Sequence, residues 1–98
     1  MKIPDKMKVA GHVYDIVFDD ERLSNEDCIG LVSHNKLKIY LAKNHRGVKL
    51  GKSVSEENLL HEILHTVDVC YNNHSLDEKT VDRLSEGLYQ VLKDNFKF

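Results

Sequence analysis

His61 and His65 stand one helical turn apart with Glu62 beside the first, and these three are the residues whose types and spacing could do chemistry. In a helix, residues four apart share a face about 6 Å apart along the axis. Two imidazoles so placed can grip a single cation. Neutral imidazole nitrogens suit Zn²⁺ at roughly 2.0–2.1 Å. Glu62 projects about 100° round from His61, beside the ion rather than onto it, where a general base for a zinc-activated water belongs. A shuffled chain of this composition would carry H-E-x-x-H roughly 2 % of the time, so the surroundings must decide. Leu59, Leu60, Ile63, Leu64 and Val67 are apolar and Thr66 is uncharged, which makes this a partly buried helix rather than two histidines on a solvated face.

Two long helices must carry the pair and whatever completes it. Ser53 opens the first, with Glu56 three residues on in an S-x-x-E capping box, and the helix is expected to end near Tyr71, before Asn72-Asn73-His74. Ser75 opens the second in the same way, with Glu78 at the capping-box position. Leu76, Val81, Leu84, Leu88, Val91 and Leu92 then keep a helical period to the C-terminus. Ahead of the helices, residues 6–19 read as two short strands hinged near Gly11-His12. Residues 19–27 form a polar acidic interval, a solvated loop or short helical turn with no assigned chemistry. Residues 28–43 read as a β-hairpin turning at Ser33-His34-Asn35. In its second strand, residues 36–41, Leu37, Ile39 and Leu41 face the core while Lys36, Lys38 and Tyr40 face out, as on an edge strand. Residues 43–51 read as a basic loop, wrongly spaced for phosphate binding. A strand-rich first half followed by helices implies one α+β domain over residues 1–98, with both helices on one face of a small antiparallel sheet.

A catalytic zinc takes three protein ligands and leaves one position open, so one place remains to be filled. The metzincin pattern needs Gly at 68 and His at 71, and Asp68 and Tyr71 exclude it. A second helix returning antiparallel brings its first turns against the histidines. Glu78 is best placed there, with His74, Asp77 and Glu86 as alternatives in that order. Glu78 has a competing role as the capping-box residue that folds back onto the Ser75 amide. Asp82, on the same face as Glu78, is positioned to accept a hydrogen bond from a ligating histidine's second nitrogen.

H-E-I-L-H followed by Glu78-Lys79-Thr80-Val81-Asp82 resembles the H-E-x-x-H plus E-x-x-x-D arrangement of gluzincin metallopeptidases. Residues 28–95 are similar to small phage- and prophage-encoded metallopeptidases, whose tails look like residues 83–95. The resemblance implies a zincin-like fold, with His61, His65 and Glu78 as zinc ligands. It also implies Glu62 as base and proton shuttle and Asp82 as the residue that orients a ligand. Position 58 departs from the pattern, carrying Asn where such helices commonly have Val or Thr.

The bulk properties fit a small enzyme or binding module. Ninety-eight residues with 41 % hydrophobic and 31 % charged content describe one globular domain. A formal net charge of −2 gives no reason to expect nucleic acid or an anionic membrane as partner. The first residues lack an apolar h-region, and no run reaches transmembrane length, so a cytoplasmic location is expected. Cys28 and Cys70 are read as reduced, structural residues, and His12, His34 and His45 as surface or turn histidines. Tyr71 and Tyr89 are read as packing residues rather than oxyanion donors.

The expected function is zinc-dependent hydrolysis of a peptide lying antiparallel beside residues 36–41. The alternative is a non-catalytic metal-binding or protein-interaction module, such as a phage accessory factor, on the same scaffold. Glu62 separates the two, because a structural zinc site prefers four closed protein ligands and has no use for a carboxylate there.

Overall fold

A computed structural model describes residues 1–96. Strands β1 (Lys6–Val9) and β2 (His12–Phe18) are joined through Ala10 and Gly11, both at positive φ (51° and 78°). That is the two-residue turn whose twist matches a hairpin's strands. After the short helix α1 (Asp20–Asn25), strands β3 (Gly30–Ser33) and β4 (Lys38–Leu41) form the expected second hairpin. The four strands lie in the order β1-β2-β4-β3.

The sheet is therefore mixed rather than antiparallel. β4 runs parallel to β2, from Asp15 opposite Lys38 to Phe18 opposite Leu41. The chain leaves β2, passes through α1, lays down β3 at the outside, and inserts β4 between β2 and β3. Alternation within residues 36–41 specifies a strand but not its neighbours, so the edge position expected for it is overturned. The sheet's edges are β1 and β3. Tyr40 is also not outward-facing: it is buried with Leu23 of α1 and with Ala42, and the Arg22 guanidinium lies 4.5 Å from its ring centroid. The alternation separates two apolar layers instead of core from solvent. Tyr14, Ile39 and Leu41 form one with Leu59, and α1 covers the other.

Residues 43–51 contain a small ladder where a loop was expected, with β5 (Asn44–His45) and β6 (Val48–Lys49) turning at Arg46 and Gly47.

The two long helices are present as α2 (Lys52–Tyr71) and α3 (Glu78–Asn95). α2 lies against β3 and β4, while α3 packs on α2. Of α3's apolar stripe, Val81 is buried, whereas Leu84, Leu88 and Val91 are exposed. Neither capping box forms. Gly51 precedes α2 without a side-chain cap, and Glu56 is instead buried, 2.8 Å from the Met1 α-amine and accepting the Tyr89 O–H at 2.7 Å. Asp77 caps α3 by accepting the Thr80 N–H at 2.8 Å.

Ser75 cannot cap because the interhelix turn uses it. Its hydroxyl donates to the Asn72 carbonyl at 2.8 Å, and its N–H donates to Asp68 at 3.1 Å. Asp68, 1 % exposed, also accepts from the Leu76 N–H and the Asn72 side-chain amide. Asn73 and His74, both at positive φ, close the turn. Among the described residues no helix is long and apolar enough to cross a membrane, and both cysteines are free.

Burial alone would raise the Asp68 carboxyl, but the hydrogen bonds from Asn72, Leu76 and Ser75 outweigh it and hold the group below the usual carboxylate range. A depressed folded-state pKa stabilises the fold above the unfolded value and ceases to do so as pH falls through the folded one. Asp68→Ala is expected to lower the urea midpoint at neutral pH. The gap to wild type should close as pH falls below about 3.9, which a pH series of unfolding curves reads directly.

Candidate metal centre

With Asp77 as the cap, Glu78 becomes the first residue of α3 and its carboxylate is free to face α2. It lies 2.8 Å from His61 Nε2 through Oε1 and 3.0 Å from His65 Nε2 through Oε2. The two Nε2 atoms are 3.0 Å apart. Donors on a tetrahedral ion with bonds of roughly 2.0–2.1 Å are separated by about 3.3 Å. With Glu78 reaching each histidine through a different oxygen, the three residues stand close enough for one donor atom of each to converge on a single ion, and two imidazoles with one carboxylate and no thiolate are the donors zinc takes in open sites. These three residues form the described residues' cluster able to hold a metal ion. Asp82, one turn along α3, stands 3.0 Å from His61 Nδ1. With a metal held there, Asp82 accepting the Nδ1 proton would fix the His61 tautomer and present the Nε2 lone pair to the ion.

Glu62 sits on the sheet side of this triangle, buried at 4 % exposure and 4.0 Å from His61 Nε2. It owes its place to Gly30 of β3. A Cβ built on Gly30 would lie 2.5 Å from Glu62 Oε2 and closer still to Asn58 Oδ1, so any larger residue would force those side chains to shift. Asn58, buried in α2, donates its amide to the Ile29 carbonyl at 2.7 Å. The asparagine that departs from the resembled pattern thus ties α2 to the start of β3. Burial, then the nearby Glu78 and Asp82 carboxylates, pushes the Glu62 pKa up from 4.5 to about 8.

Two hollows of about 400 and 330 Å³ flank Glu62 and His61 along β3. Val54, Glu57 and Asn58 line the first; Val32, His34, Val69 and His74 line the second. Of the alternative third ligands, His74 lines a hollow without joining the triangle, Asp77 is the helix cap, and Glu86 is exposed farther along α3. Tyr89 is bound to Glu56 and Tyr71 is exposed, so both stay outside the site. His12 is exposed and His45 faces Asp27 at 3.7 Å. His34, read as a turn histidine, lies in the cleft. Gly30 and His34 carry no helical spacing to the histidine pair, whereas Asn58 precedes His61 by three and Glu62 by four residues on the same helix face, so only that asparagine offered a signal in the sequence.

A raised carboxyl pKa means that the fold resists ionisation of Glu62. The penalty is absent below the unfolded pKa and grows as pH rises from 4.5 toward 8. In chelator-treated protein, Glu62→Gln is expected to stabilise the fold by ~3 kcal/mol at pH 7 and by nothing near pH 4, as read from denaturant midpoints. No protein-family model, curated protein or solved structure matches the chain, so the identity of the centre rests on this geometry.

Proposed function

We propose that the protein is a zinc-dependent peptidase with a zincin-like site, and the observation that carries this is the His61–His65–Glu78 triangle with Glu62 buried beside it. Zinc bound there would polarise a scissile carbonyl and bring the pKa of a water toward 7. Glu62 takes that water's proton and passes it to the leaving amine as the C–N bond breaks. A base with a pKa near working pH suits both transfers. A divalent ion held by His61, His65 and Glu78 would offset the Glu78 and Asp82 charges that, after burial, raise Glu62 in the bare chain. Asp82 keeps His61 oriented by holding its Nδ1–H. A purely structural metal site would gain nothing from a carboxylate buried at such a cost.

The substrate's backbone pairs with β3, the edge that faces the histidines, rather than with β4. The Ala42 N–H donates to the Ile29 carbonyl at 2.9 Å, and with Gly30 opposite Leu41 this register makes Leu31 and Ser33 the residues that exchange bonds with β4. Gly30 and Val32 therefore turn backbone groups to the open edge. An extended peptide laid there adds a strand across the metal triangle, with side chains entering the two hollows on either side of Glu62.

Plasma mass spectrometry of zinc-reconstituted protein is expected to find about one zinc per chain, lost in His61→Ala and Glu78→Ala. Asp82→Ala should bind zinc about 10–100-fold more weakly. Glu62→Gln should keep the metal and lose hydrolysis of a peptide library about 10²–10⁴-fold. A wild type that takes up no zinc, or a Glu62→Gln variant as active as wild type, would sink the reading.

A further inference from the structure

The hollow beside His65 contains a histidine that the reaction above leaves idle. His34, in the turn between β3 and β4, lines it together with His61, Glu62, His65 and Glu78. Its Nδ1 lies 3.3 Å from the Tyr14 hydroxyl, and the two rings meet edge to face with centroids 6.2 Å apart. Tyr14 is a core residue, 2 % exposed, packed with Ile39, Leu41 and Leu59. A buried phenol must give its proton to an acceptor. The hydroxyl has His34 Nδ1 and, at 3.9 Å, Cys70 Sγ in reach. Imidazole nitrogen accepts far better than sulfur. Tyr14 O–H therefore donates to His34, and the Cys70 thiol is left to donate to the Tyr14 oxygen.

That order fixes the tautomer. A neutral imidazole that accepts at Nδ1 carries its proton on Nε2, and the two ring nitrogens direct their bonds nearly opposite ways. With Nδ1 turned toward Tyr14, Nε2–H points away from the core, and His34 is a residue that lines the hollow. Burial, followed by the nearby His74 and His65, pushes the His34 pKa down, which favours this neutral form.

We propose that Tyr14 holds His34 as a fixed N–H donor to the peptide oxygen that becomes an oxyanion during hydrolysis. The inference rests on the peptidase reading and assigns that site a second electrophile, opposite Glu62. Of the other neutral donors near the cleft, the Asn58 amide is committed to Ile29 and the Tyr89 hydroxyl to Glu56, while His74 lines the same hollow without a core phenol to hold its ring. A preorganised donor aimed at a developing oxyanion contributes about 10²–10³ in rate. A phenol in the core gives the imidazole its preorganisation, because Tyr14 cannot follow the ring if it turns.

The test uses a peptide phosphonate, whose tetrahedral anion imitates the oxyanion, titrated into the zinc-loaded full chain by calorimetry. Nitrogen-15 NMR of the histidine rings is run beside it. Expected are the Nε2–H tautomer for His34 in wild type and a phosphonate affinity weakened ten- to a hundredfold in His34→Ala. Tyr14→Phe should show a smaller weakening and a loss of the single tautomer, with zinc content unchanged in both variants. Equal affinity in a zinc-loaded His34→Ala, an Nδ1–H tautomer in wild type, or a second zinc lost with His34 would each overturn the donor role alone. If His34→Ala fails to fold, the wild-type tautomer and the Tyr14→Phe affinity still decide. A wild type without zinc overturns the peptidase reading and this role with it.

Discussion

The approach of β3 to α2 is limited by one missing methyl group. Gly30 lets the strand lie against the Glu62 carboxylate, where a Cβ would push the Glu62 and Asn58 side chains aside. From that contact follow the burial of Glu62, its raised pKa, and the nearness of an open strand edge to the histidine pair. Asn58 secures the arrangement from α2 by holding the Ile29 carbonyl. That carbonyl also accepts the Ala42 N–H, so one backbone oxygen joins α2, β3 and the end of β4. Gly30 makes the space, and Asn58 fixes where the strand enters it.

The other side of the site depends on the turn between α2 and α3. Asp68 gathers donors from Asn72, Ser75 and Leu76 and so sets the register in which α3 returns. Asp77 then caps that helix, which releases Glu78 from any capping duty and lets it bridge both histidines. One helical turn later Asp82 meets His61. The triangle is thus assembled from two helices whose relative position is fixed by a buried carboxylate some distance from the chemistry.

How much of this the sequence disclosed depends on the range of each interaction. The histidine pair, Glu62, Glu78 and Asp82 were readable because helical periodicity carries a residue's direction several turns along the chain, and a short loop leaves an antiparallel return as the compact option. Helix starts were less readable. Ser75 and Asp77 are both good caps, and only the tertiary demand of Asp68 on Ser75 decides between them. The parallel pairing of β2 with β4 was not readable at all, since alternation in residues 36–41 fits a strand with two apolar faces as well as one with a single face. His34 was missed for the same reason, as its partner Tyr14 lies twenty residues away on a strand reached only through the sheet.

The corrected topology also explains how so small a domain could accept a substrate. β4, the strand the alternation suggested as an edge, has both sides occupied, so on the proposed peptidase reading a substrate peptide would pair with β3, whose length is four residues. Of these, Gly30 and Val32 alone turn backbone groups outward, and at Ile29 the carbonyl already serves Ala42 and Asn58. Backbone pairing over two residues supplies register but little affinity, because each hydrogen bond replaces one to water. Discrimination between peptides must then come from what fills the hollows on either side of Glu62, one bordered by Val54 and Glu57 and the other by Val69 and His74. If the proposed reading holds, such a peptidase would read a few side chains around the bond it cuts and little beyond them.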